Sequence, residues 1–135
     1  RFVPQKICQS AARIALGQQS FLKLGDLSIK RDWGWAPEYV EAMWRMLQQK
    51  DAKDYVIATG QIYGLNEFVN EAFSSLNLDW EKYVIINDEL KRPSEIRSGF
   101  GSPIKANFEL NWHAKTYMPE IARIMTEQEF SLLKG

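Results

Sequence analysis

The chain has 135 residues, 45% apolar and 25% charged, the proportions of one globular domain that can bury a core without metal or disulfide staples. Seventeen Lys and Arg balance seventeen Asp and Glu with interspersed signs, which excludes the basic stripe a nucleic-acid binder uses to neutralise phosphates. One cysteine, Cys8, excludes an internal disulfide, and no stretch approaches the ~18 apolar residues of a membrane span, so no membrane partner and a reducing, cytoplasmic setting are expected.

The opening Arg1-Phe2-Val3-Pro4 lacks an initiator methionine and runs at once into a helical pattern, as expected of a segment of something longer. Pro4 to Leu16 reads as a helix: Pro4 suits the first turn, Ile7, Ala11, Ile14 and Ala15 recur at helical spacing, and Gly17 supplies the stop. Cys8 lies beside that stripe and reads as a small buried hydrophobe, with no second thiol or histidine to activate it. Phe21 to Leu24 is a short strand ended by Gly25-Asp26. Lys30 to Trp35 is a loop rich in charge and aromatic surface. Pro37 then opens a helix whose Val40, Met43, Trp44 and Leu47 fall at i, i+3, i+4 and i+7, and Glu41 and Arg45 stand four apart in the favourable order.

Tyr55 to Gly60 reads as a buried strand, a continuous apolar run closed by glycine. A helix from Leu65 to Leu76 follows, carrying Leu65, Phe68, Val69, Ala72, Phe73 and Leu76 on one side, and Tyr83 to Ile86 is another strand. Ser102-Pro103 starts a short helix ending near Leu110, and Thr116 is placed to cap a last helix carrying Ile121, Ile124 and Met125. The expected fold is α/β: helix, strand, helix, strand, helix, strand, helix, helix, in a single domain over residues 1–135.

The chemistry is defined first by absences. No glycine-rich phosphate loop follows a strand, no C-x-x-C occurs, and the lone histidine, His113, excludes a two-histidine metal site and reads as a surface or capping residue. The chain therefore offers no catalytic, cofactor-binding or metal-ligating set of its own. Two arginines in separate loops, Arg31 in Lys30-Arg31-Asp32 and Arg92 in Lys91-Arg92-Pro93-Ser94-Glu95, point to anion binding. A guanidinium grips phosphate through two parallel hydrogen bonds and stays charged, so two forks suit a pyrophosphate. Solvation or pairing with Asp32 and Glu95 is the alternative that spacing alone leaves open.

Arg31-Asp32-Trp33-Gly34, Tyr39-Val40-Glu41-Ala42-Met43-Trp44 with Met46-Leu47-Gln48-Gln49, Asp54 to Gly60, and Arg92-Pro93-x-Glu95 occur in that order. This series resembles the carboxy-terminal part of the GDP-mannose 4,6-dehydratase family, extended short-chain dehydrogenases/reductases, over essentially the whole chain. The resemblance implies the small, helix-rich, mixed α/β substrate-binding lobe of such an enzyme, lacking the Rossmann half. It implies that the parent enzyme converts GDP-mannose to GDP-4-keto-6-deoxy-mannose and water by an NADP hydride shuttle. NADP is then held by the Rossmann half, no cofactor is expected in this chain alone, and the intact enzyme is expected as a homodimer or homotetramer.

Residue by residue, the resemblance puts Val3 and Lys6 at the nucleotide end of the substrate site and Arg31 on the diphosphate. It puts Arg92 and Glu95 on phosphate and ribose, where a carboxylate accepts from hydroxyls. Asp32 is expected to steady the arginine's surroundings. Trp33 and Trp35 either wall the pocket or, on the simpler reading, pack in the core against the helix of Val40 and Trp44. The chain departs from the family's wording at Pro4-Gln5, where Thr-Arg is usual, and at Trp35, where histidine is usual, so one cation is lost near the substrate or a subunit contact. A non-catalytic nucleotide-sugar-binding or assembly module, or a related GDP-sugar reductase or epimerase, are the other readings such changes allow.

Overall fold

The computed structural model describes residues 3–90 and 101–135. Helix α1 spans Val3–Ala15, α2 Ala36–Leu47, α3 Leu65–Ser74, α4 Ile104–Glu109 and α5 Met118–Lys134. The strands are short: β1 Leu22–Leu24, β2 Lys30–Arg31, β3 Tyr63–Gly64 and β4 Val84–Ile86. They form two separate ladders, β1 parallel to β4 with Leu22 opposite Val84, and β2 antiparallel to β3 with Arg31 opposite Tyr63.

Helices α1, α3 and α5 enclose the main core. Ile7, Cys8 and Ala11 of α1 meet Phe68, Val69, Ala72 and Phe73 of α3 and Met118 and Ala122 of α5. Small residues on α1 let α5 approach closely, and each buried large side chain contributes about 1.5–3 kcal/mol of transfer free energy. Gly17, with φ of +74°, ends α1 as expected: its N–H donates to Ile14 O, and Gln18 N–H donates to Arg13 O. That left-handed turn closes the last carbonyls of the helix at no steric cost to a residue without Cβ.

The N-terminus of α3 lacks a side-chain cap. Its first two N–H groups, Leu65 and Asn66, donate instead to the carbonyls of Ile29 and Leu27 at 2.9 and 3.2 Å. Main-chain oxygens thus satisfy donors that a helix start leaves open, and they fix the segment leading into β2.

Four sequence expectations need correction. Tyr55 to Gly60 forms no ladder among the described residues: Ala58 and Thr59 are buried, but Val56 is 55% exposed. A strand needs a pairing edge, and here the Thr59 and Gly60 N–H groups are taken by the Asp32 carboxylate. The stripe on α2 is not core either, because Val40, Met43, Trp44 and Leu47 are all exposed and Ala42 is the buried residue of that helix. Thr116 does not cap α5, whose N-cap is Tyr117 without a side-chain bond. Its hydroxyl donates to Glu38 Oε2 at 2.6 Å instead. Finally, Lys30–Arg31 is a strand rather than loop, recruited by the partner strand β3.

A second, smaller cluster joins α2 to α4 through Ala42, Ala106, Leu110 and Trp112. Hydrogen bonds fix it. Trp112 Nε1 donates to Glu38 O at 2.8 Å, and Arg45, besides its expected pair with Glu41 at 2.9 Å, donates to the carbonyl of Leu110 at the end of α4. No helix among the described residues is long and apolar enough to cross a membrane.

Candidate functional site

Val3 and Lys6 stand three residues apart on the first turns of α1, so they share a face. That face borders a cavity of about 170 Å³. Strand β1 brings Lys23 to the same cavity and the turn after it brings Asp26, while Leu90 closes the far side. Among the described residues, two ammonium groups and one carboxylate therefore border the same concavity. Asp26 is positioned by local bonds, accepting from Ser28 N–H at 2.8 Å and from Ser28 Oγ at 2.6 Å. The site has the two chemistries a nucleoside diphosphate needs: cations for phosphate, and an acceptor for hydroxyls.

Arg31 lies on β2, two residues beyond Ile29, which also lines the cavity. Its Nη1 donates to Lys30 O at 2.8 Å. It flanks the cleft without being part of its lining. Arg92 and Glu95 fall outside the described residues, so the convergence of two guanidinium groups on one anion has no geometry here. Leu90, the last described residue before that segment, is on the rim.

Asp32 performs the steadying role expected of it and does more. Its carboxylate accepts from Thr59 N–H at 3.0 Å, Gly60 N–H at 2.9 Å and Thr59 Oγ1 at 2.6 Å. The Arg31–Asp32 step is thereby tied to a turn nearly thirty residues away. Gly34 has an equally local cause, since a Cβ there would lie 2.1 Å from the Tyr39 ring. Trp33 packs on Phe68 of α3, ring centroids 5.5 Å apart, rather than on the outer face of α2. With Trp35 it walls a separate apolar cavity of about 330 Å³, floored by Phe68 and edged by Pro4, Met125 and Gln128. Neither expectation for the indoles holds as stated: Trp33 joins the core against α3 instead of α2, and the cavity the two indoles wall is distinct from the cleft of Lys6.

Cys8 is inert: burial pushes its thiol up to about 11. His113 is exposed, as expected of a surface residue. Sequence reasoning missed Lys23, Asp26 and Leu90. Lys23 alternates with the buried Leu22 and Leu24, and that period of two was the available signal.

The model of the GDP-mannose 4,6 dehydratase family matches residues 1–125. The chain belongs to the GDP-mannose 4,6-dehydratase family. Among curated members it is 40% identical to GDP-mannose 4,6 dehydratase 2 of Caenorhabditis elegans, covering 99% of this chain and 39% of that protein. It is 39% identical to GDP-mannose 4,6 dehydratase 2 of Arabidopsis thaliana, covering 98% of this chain and 36% of that one. The chain therefore spans well under half the length of these family members. Among solved structures, RMD from Pseudomonas aeruginosa complexed with NADPH superposes with a TM-score of 0.86 at 20% identity, over 97% of this chain and 43% of that one. At that identity the likeness establishes the fold, a helix-rich lobe of the extended short-chain dehydrogenase type.

Proposed function

We propose that this chain is the substrate-binding part of a GDP-mannose 4,6-dehydratase, holding the GDP moiety of GDP-mannose while the complete enzyme forms GDP-4-keto-6-deoxy-mannose and water. The observation that carries this reading is the meeting of Val3 and Lys6 with Lys23 and Asp26 in one cleft, beside the strand of Arg31. In this assignment Val3 and Lys6 face the nucleotide end and Arg31 reaches the diphosphate. Arg92 and Glu95 complete the phosphate and ribose contacts. Lys23 adds a second ammonium, and Asp26 is an acceptor within the same cleft.

The NADP of the complete enzyme belongs to residues outside this chain. No glycine-rich loop follows a strand here, and no tyrosine has a lysine four residues on. The chain alone is accordingly a binding lobe without turnover, acting in the cytoplasm. The Rossmann half docks where apolar surface stands open: on Val40, Met43, Trp44 and Leu47 of α2, and on the unladdered segment at Val56. Relatives of more than twice this length support an intramolecular occupant for that face. The intact enzyme assembles as a homo-oligomer.

Calorimetric titration of GDP into the complete protein tests the assignment. Lys6→Ala, Arg31→Ala and Arg92→Ala should each weaken binding by about 1.5–3 kcal/mol, the scale of a hydrogen bond to a charged group. Unchanged affinity in all three variants removes the substrate-binding reading.

A further inference from the structure

The overall charge balance conceals a local imbalance. The first 25 residues hold four cations, Arg1, Lys6, Arg13 and Lys23, and no Asp or Glu. The fold gathers three of them. Lys6, Gln9, Ser10 and Arg13 fall at i, i+3, i+4 and i+7 on α1, on a face adjoining the stripe of Ile7, Ala11 and Ile14 that enters the core. They face Gln19 and Lys23 across a second concavity of about 250 Å³.

No carboxylate lines this basin, and among the described residues none of Lys6, Arg13 and Lys23 is in an ion pair. Lys23 rests 5.7 Å from the Phe21 ring, which holds its stem against the wall. Gln19 is fixed by donating Nε2–H to Phe21 O at 2.8 Å. Three cations elsewhere in the chain are in ion pairs: Arg45 with Glu41, Lys53 with Glu109 and Arg123 with Glu127. Like charges brought into one concavity by two elements repel each other until an anion arrives, and an arginine fork flanked by two ammonium groups matches phosphate oxygens.

We propose that this basin is a second anion site, taking a phosphate or pyrophosphate group, separate from the nucleotide cleft but sharing Lys6 and Lys23 with it. The site rests on the assignment of that cleft to GDP. Each shared ammonium serves one basin at a time, so an anion beside Arg13 draws both lysines away from the cleft and weakens nucleotide binding. By linkage, the nucleotide weakens the anion to the same degree. Free phosphate or a diphosphate-bearing metabolite would thereby moderate substrate affinity.

The test is calorimetric titration of the complete protein with sodium pyrophosphate and, separately, with GDP, in wild type, Arg13→Gln and Arg13→Lys. Arg13 is exposed, so its replacement spares the core. In Arg13→Gln, pyrophosphate affinity should fall about tenfold, the worth of one charge-assisted bond, while GDP affinity in the absence of pyrophosphate changes less than about twofold. Arg13→Lys should restore part of the loss. Pyrophosphate should also raise the apparent Kd for GDP more in wild type than in Arg13→Gln. Equal pyrophosphate affinity in wild type and Arg13→Gln overturns the proposal, because the anion then occupies only the diphosphate part of the cleft. A parallel fall in GDP affinity overturns it too, since the two basins are then one site. If wild type binds pyrophosphate through Arg13 but binds no GDP, the substrate assignment fails while the anion basin stands.

Discussion

The two halves of this molecule solve the same folding problem by opposite means. The body of α1, α3 and α5 closes around large side chains such as Phe68, Phe73 and Met118, each almost wholly out of water. The body of α2 and α4 closes around four buried residues and leaves an apolar stripe outside, with Trp44 61% and Leu47 81% exposed. What fixes α2 is polar: Glu38 to Lys115 and Thr116, Arg45 to the end of α4, Trp112 to the Glu38 carbonyl. Hydrogen bonds set position well but contribute little net stability, whereas apolar burial does the reverse. The first body buries its apolar stripes, whereas the second leaves one open to solvent.

The contrast can be broken most severely from the main core. Phe68→Ala should cost about 3–5 kcal/mol in urea unfolding, because it opens a cavity between α3 and Trp33 that the helices cannot collapse. Asp32→Ala should cost less, about 1.5–3 kcal/mol by the same measurement, by leaving the Thr59 and Gly60 N–H groups without their acceptor. Thr126→Val should move the other way. Thr126 Oγ1 is buried with no nitrogen or oxygen partner and only the weakly bonding Cys8 thiol beside it, so an isosteric methyl should raise stability by about 1 kcal/mol in thermal unfolding.

The α2–α4 body carries a pH signature on the acid side. Burial opposes ionisation of Glu38, but the Thr116 hydroxyl, the Lys115 and Thr116 N–H groups and the Lys115 charge outweigh it and hold the carboxyl below its usual range. A carboxyl depressed in the folded state adds stability above its unfolded pKa, about 4.5, and loses it as pH falls through the lower folded value. The acid limb of a stability–pH curve should therefore be shallower in Glu38→Gln than in wild type.

The smallest effect on stability belongs to the open face. Leu47→Lys should change it by no more than about 0.5 kcal/mol. On this chain without its docking partner, the same substitution should shift light-scattering mass toward monomer. A large loss of stability from Leu47→Lys would mean that α2 is finished from within after all.

Much of this was legible in the sequence, for reasons that differ by element. Helices α1 and α3 were readable because their apolar spacing and their burial coincide, and Gly17 stops α1 by a backbone geometry that glycine signals locally. The same spacing misled at α2. Periodicity marks an apolar face, not which neighbour covers it, and among the described residues Val40 and Leu47 stay exposed. Tyr55 to Ala58 has the composition of a strand, but pairing is a property of two segments, and none of the described residues pairs with this one. For the site, family wording reached Val3 and Lys6, while Lys23 and Asp26 needed the turn between β1 and β2 to be seen in three dimensions.

The way α3 begins has a consequence for variation. Leu27 and Ile29 hold its first two amides through carbonyl oxygens, which every one of the twenty residue types possesses. The placement of strand β2, which carries Arg31, is thus indifferent to the identity of the amino acids that establish it. That stretch can drift in sequence and still start the strand from the same place.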